Sequence, residues 1–141
     1  NNTAIGFQAL DANVGGSSNN AVGRNALGLN VGGDQNVAVG ESALGNNNSG
    51  DNNTCIGHQA GNSIENGSNN TIIGSAAGTA GLNGNIILAA GTTERMTIDN
   101  TGQTSFASGN CTISAGGSGT FASGLNISGV LTFDMSQLPA I

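Results

Sequence analysis

The sequence predicts an all-β fold, a parallel β-solenoid with coils of seventeen residues, and three observations carry the prediction. Glycines recur at a fixed interval: Gly6, Gly23, Gly40, Gly57, Gly74 and Gly91 lie seventeen positions apart. Three further columns keep that period, namely Gly16, Gly33, Gly50, Gly67 and Gly84; Asn2, Asn19, Asn36, Asn53 and Asn70; and Ala9, Ala26, Ala43, Ala60 and Ala77. Before each glycine of the first column stands a β-type triplet: Thr3-Ala4-Ile5, Asn20-Ala21-Val22, Val37-Ala38-Val39, Thr54-Cys55-Ile56 and Thr71-Ile72-Ile73. A unit of this length is too short for a helix pair and suits one coil with two short strands and two turns.

In chain order, residues 1–91 form the repeat array: five full repeats and a degraded sixth, with Ile87 at the place the period reserves for asparagine. Strand alternation sends the Ile/Val positions one way and the Ala positions the other. The branched column is expected to fill the coil interior with Leu10, Leu27 and Leu44, leaving the alanines to face a neighbouring chain. The glycine columns fit turns with positive φ or close backbone approach, and the asparagines fit a stacked amide ladder. Residues 92–106 alternate polar and apolar and turn at Asp99-Asn100-Thr101-Gly102, a hairpin-like transition. Residues 107–141 are rich in Gly and Ser and are expected to form a β-stem or connector.

Composition bounds the function. The chain of 141 residues holds 25 Gly, four Phe, no Trp or Tyr, and two positive side chains against eight acids. Aromatics that normally fill a core are scarce. Composition of this kind also occurs in disordered chains, but disorder requires no register, and here the apolar residues hold one. A net charge of −6 provides no counterion-release term for nucleic acid and no basic face for anionic membranes. No apolar run approaches a membrane span. Cys55 and Cys111 are expected to lie several coils apart, beyond disulfide reach. Beginning at Asn1 and stopping at Ile141, the chain has the look of a piece of something longer. A thin single coil buries little and has open flanks, and three chains in a closed head-to-tail ring relieve both problems; the expected assembly is an intertwined homotrimer.

The N-x-A-(I/V)-G-x-x-A units resemble the head repeats of trimeric autotransporter adhesins. The longer spacing and the following Glu94-Arg95-Met96-Thr97-Ile98-Asp99-Asn100-Thr101-Gly102 stretch look more like bacteriophage tail-fibre proteins. The resemblance covers about residues 1–106. It implies a homotrimeric structural segment of a virion appendage, packed with other fibre proteins and presenting a tip that meets a host-surface glycan or protein. The self-cleaving chaperone that often follows in such fibres uses a serine–lysine pair, and this chain has no lysine. The adhesin repeat is shorter and leads into a coiled-coil stalk, whose heptads do not occur here. A bacterial cell-surface adhesin head is the alternative reading, and a polysaccharide-acting solenoid enzyme a third.

Catalytic chemistry has little to draw on. His58 is the single histidine, so any Ser-His-Asp arrangement must use it. It belongs to the column after the repeat glycine, Phe7, Arg24, Glu41, His58 and Ser75, which is expected to form a surface-contact stripe with a charge ladder, or else a freely varying solvent column. Asp34 and Asp51 share another column, with Ser17, Ser68 and Asn85. Two carboxylates in register suit Ca²⁺ or, more simply, solvated turns. The nonapeptide calcium signature is missing, as is any His/Cys cluster for zinc. The expectation is therefore no catalytic residue, no metal and no cofactor. Asn-Xaa-Ser/Thr sequons such as Asn52-Asn53-Thr54 follow from the abundance of asparagine.

Overall fold

The computed structural model describes residues 1–106. The stem or connector expected over 107–141, and Cys111 with it, lie outside the described residues. Regular structure within them is all strand: β1 (Thr3–Ile5), β2 (Asn20–Val22), β3 (Val37–Val39), β4 (Thr54–Ile56), β5 (Thr71–Ile73), β6 (Ile86–Ala90), β7 (Thr93–Ile98) and β8 (Thr104–Phe106). They form one sheet in chain order. From β1 to β6 the pairing is parallel, and Thr3, Asn20, Val37, Thr54 and Thr71 lie side by side. The array is thus a β-solenoid of about five turns, with like residues stacked on like.

Each coil has one strand, where two were expected. The remainder is a chain of turns set by three left-handed residues: Gln8, Leu10 and Ser18 at φ 56°, 55° and 60°, then Asn25, Leu27 and Gln35, then Ser42, Leu44 and Asn52. Turns replace the second strand because these residues curl the backbone too tightly for an extended run. The turns still bond from coil to coil, the Leu27 N–H donating to Ala43 C=O at 3.0 Å and the Leu44 N–H to Ala60 C=O at 2.9 Å. Left-handed geometry costs a leucine about 1–2 kcal/mol. Leu27 and Leu44 are fully buried, and the apolar surface they remove from water offsets that strain.

The strand faces are the reverse of the expectation. Ala21, Ala38, Cys55 and Ile72 point into the coil and are fully buried. Val22, Val39, Ile56 and Ile73 point outward, at 37, 37, 41 and 46% exposure. The reason is volume. In the second and third coils Leu27 and Leu44 already fill the interior from the opposite wall, beside Asn30 and Asn47, so only a methyl fits on the strand side there.

The fourth coil redistributes the same bulk. Cys55 replaces the alanine, Gly61 (φ 65°) replaces the leucine, and Ile64 replaces the inner asparagine. A Cβ on Gly61 would stand 2.5 Å from Cys55 Sγ and 3.1 Å from Leu44 Cδ2. Burial pushes the Cys55 thiol up to about 12, so it packs as a small neutral hydrophobe. Gly61→Leu alone is therefore expected to destabilise by about 3 kcal/mol, from overpacking and left-handed strain. Adding Cys55→Ala and Ile64→Asn recreates the interior of the third coil and is expected to recover most of the loss in urea unfolding.

The fifth coil is two residues shorter than the four before it. Ile73 pairs with Leu88, a step of 15, and Ile87 occupies the inward column, buried against Ile72. Asn85, not Ile87, takes the asparagine position, its N–H donating to Asn70 Oδ1 at 3.0 Å. Gly84 and Gly91 keep the arithmetic period but leave the structural columns; Leu82 and Ala89 stand over Gly67 and Gly74 instead. Ala76 rather than Ala77 takes the alanine position, its carbonyl accepting from Gly61 N–H at 2.9 Å. The deletion thus brackets Ala76. A period read off glycines misses it because turn glycines recur on both sides.

After β6 the sheet reverses. β6–β7 and β7–β8 are antiparallel, and the hairpin-like transition is a hairpin. Its turn is organised by Asp99, whose Oδ1 accepts from Thr101 Oγ1 at 2.6 Å, Thr101 N–H at 2.9 Å and Gln103 N–H at 2.9 Å. The Thr101 hydroxyl first, and then the Gln103 amide, hold the Asp99 carboxyl below its ordinary value.

Candidate functional site

Two asparagine ladders run through the coils. In the first, each side chain accepts the backbone N–H of the next asparagine and donates to a turn carbonyl, a glycine's from Asn2 to Asn53 and Leu82's at Asn70. Asn36 Oδ1 accepts from Asn53 N–H at 2.9 Å, and Asn36 Nδ2 donates to Gly50 O at 2.8 Å. Asn2, Asn19 and Asn53 repeat the pattern on Gly16, Gly33 and Gly67. The second ladder, Asn13, Asn30 and Asn47, escaped the sequence reading although its period was there to be counted. Asn30 Nδ2 donates to Asn13 Oδ1 and Asn47 Nδ2 to Asn30 Oδ1, both at 2.8 Å. Both ladders converge on the same carbonyls, Gly33 O accepting from Asn19 and Asn30. The Gly16 column has two causes: a Cβ on Gly33 would strike the Gly50 carbonyl of the next coil first and would also sit 2.5 Å from Asn30 Oδ1. Each ladder ends in a buried oxygen without a partner, Asn47 Oδ1 beneath Ile64 and Asn85 Oδ1 at the hairpin. These amides bind neighbouring coils, so their work is structural.

The column Phe7, Arg24, Glu41, His58 and Ser75 lies along the surface, with the first four exposed and Ser75 half-buried. Its one ion pair joins Arg24 Nη2 to Glu41 Oε1. Both partners are open to solvent, where such a pair contributes at most about 1 kcal/mol. The structure thus brings together Arg24 and Glu41, but among the described residues no ion pair or hydrogen bond carries the ladder on from Glu41 to His58.

Asp34 and Asp51 do share a column, but their carboxylates cap the backbone of the preceding coil. Asp34 Oδ1 accepts from Ser17 N–H at 2.6 Å and Asp51 Oδ1 from Asp34 N–H at 2.7 Å. Ser68 continues the series, and Asn83 closes it in place of Asn85. Among the described residues no three His, Cys, Asp or Glu side chains gather where they would hold a metal ion.

The surface feature that stands out is the outer face of the sheet. Ile5, Val22, Val39, Ile56, Ile73 and Leu88 make an apolar stripe along successive strands. Next to it run Thr3, Asn20, Val37, Thr54, Thr71 and Ile86, two residues back in each strand and on the same face. Scattered exposed hydrophobics are ordinary, but a continuous row of branched side chains marks an interaction surface. No helix among the described residues is long and apolar enough to cross a membrane. No family model, no curated protein and no solved structure matches the chain.

Proposed function

We propose that the chain is a structural segment of a fibre, a spacer built from stacked coils that carries a recognition tip away from a virion, and that it works as a homotrimer. The observation that supports this reading is the apolar stripe on the sheet. Because each coil repeats the last, two copies side by side present matching side chains at one spacing, about 4.8 Å. Association removes Val22, Val39, Ile56 and Ile73 from water along the array's whole length. Three copies in a closed ring leave no stripe uncovered, whereas two flat faces meeting once leave the flanks open. Stiffness comes from the two amide ladders and from coil-to-coil backbone bonds, which cross the stack at every turn.

Sedimentation equilibrium tests it. The chain is expected to sediment at three times the mass of a single copy. The paired substitution Val39→Asp and Ile56→Asp is expected to give a folded monomer, because both side chains point outward. A wild-type monomer over the micromolar range, or a double variant that stays trimeric, overturns the homotrimer.

A further inference from the structure

We infer that the turn side of the solenoid carries a binding groove for a short, uncharged glycan. The groove runs across the coils with a volume near 390 Å³. Gly28 and Gly45 form its buried floor, and Asp11 and Asn62 stand at its two ends. These four residues belong to one column, so Asp11 and Asn62 are three coils apart, about 14 Å at strand spacing.

The two floor glycines are not demanded by the backbone. Neither has a φ in the left-handed region, and the same column holds Asp and Asn in other coils. A Cβ on Gly28 would meet nothing nearer than Asn25 O at 3.2 Å. On Gly45 it would meet Asn62 Oδ1 at 2.6 Å, the far end of a side chain that can turn aside. Gly28 leaves space, and Gly45 admits the Asn62 amide to the floor. In the Gly6 and Gly16 columns a Cβ would strike the backbone of the next coil, so glycine there has a packing cause that Gly28 lacks.

The walls fit a polyol. Gln8, Asn25, Ser42 and Asn46 line the groove and are exposed or half-buried. Among the described residues none of the four hydrogen-bonds to protein through its side chain, in contrast to the inner asparagines, whose amides are committed to the ladders. Amides and a hydroxyl offer donors and acceptors to sugar hydroxyls, and exposed Leu29 offers an apolar patch to a sugar's C–H face. The lining holds no Arg, Lys or His and does hold Asp11, which disfavours sulfated, phosphorylated or carboxylated ligands. Past Leu29 and Asn46 the groove continues into a second hollow near 510 Å³, between Val31 and Glu65, giving room for more than one ring. Without aromatic stacking the single-site affinity is expected in the millimolar range, a value that repeated copies on a fibre raise by avidity. The groove occupies other columns than the apolar stripe, so binding is expected whether or not the chains trimerise.

Saturation-transfer NMR of the full chain with maltotriose, cellotriose and tri-N-acetylchitotriose, with 3′-sialyllactose as the anionic probe and a Gly-Ser-Asn hexapeptide as the peptide probe, tests this. At least one neutral sugar is expected to receive transfer, and its titration is expected to shift the backbone amides of Asn25, Ser42 and Asn46. Gly28→Asn fills the floor with a residue type its own column accepts and is expected to weaken binding at least tenfold with the far-UV circular dichroism spectrum kept; Asn46→Ala, at an exposed position, is expected to weaken it as well at unchanged melting temperature. Transfer to none of the three sugars overturns the proposal. So does stronger binding of sialyllactose or the peptide, affinity untouched in both variants, or shifts that map to the sheet face.

Discussion

Gly23→Ala is expected to disrupt the coil stack outright. The added Cβ would stand 2.5 Å from Gly40 O and 2.6 Å from Gly40 C, both backbone atoms of the next coil. Gly23 also holds φ 133°, a region that side chains rarely enter. Neither problem has a local escape, since Gly40 packs in the same way on Gly57. The loss is expected at or above about 4 kcal/mol, the exceptional range for one substitution. Gly32→Ala is the control: nothing lies within 4 Å of its Cβ and its φ is outside the left-handed region. Urea unfolding followed by far-UV circular dichroism measures both, and equal midpoints for the two variants would show that coils do not rest on the Gly6 column.

Asn36→Ala is expected to cost about 3 kcal/mol, because its amide is fully buried and bridges two coils, so truncation strands the Asn53 N–H and removes a donor from Gly50 O. A buried group left without its partner costs about 1–3 kcal/mol, and lost packing adds to that. Gly50 O retains Asn47 Nδ2 at 3.0 Å, which places most of the loss on the Asn53 amide. Amide hydrogen exchange provides the check: protection of Asn53 N–H is expected to fall further than that of Thr54, whose N–H bonds Asn70 O at 2.8 Å independently of the ladder. Asn2→Ala, in the exposed first coil, is expected to cost less because water reaches the stranded groups.

Particular residues show how far the candidate surfaces were legible. The Arg24–Glu41 pair followed from the period alone, because residues one coil apart in a solenoid are neighbours. Asn30 and Asn47 were equally countable, yet asparagine is so frequent here that the second column did not stand out from turn composition. The Asp34–Asp51 column was visible as well, but the choice between ion site and backbone cap depends on where the N–H of the preceding coil points. The groove was not legible, since it arises from the side chain that Gly28 lacks and from the way Asn62 lies over Gly45.

The sequence by itself determined the repeat, its length over the first four coils, the parallel stacking of like residues and the hairpin at Asp99. Each follows from periodicity or from short-range turn chemistry. Only the tertiary structure decided which strand face is interior, that each coil keeps a single strand, and that the fifth coil lost two residues around Ala76. The physical reason is that alternation separates two faces without ranking them. The ranking comes from the volume left across the coil, where Leu27, Leu44 and the inner asparagines leave room for a methyl and turn Val22 and Val39 outward.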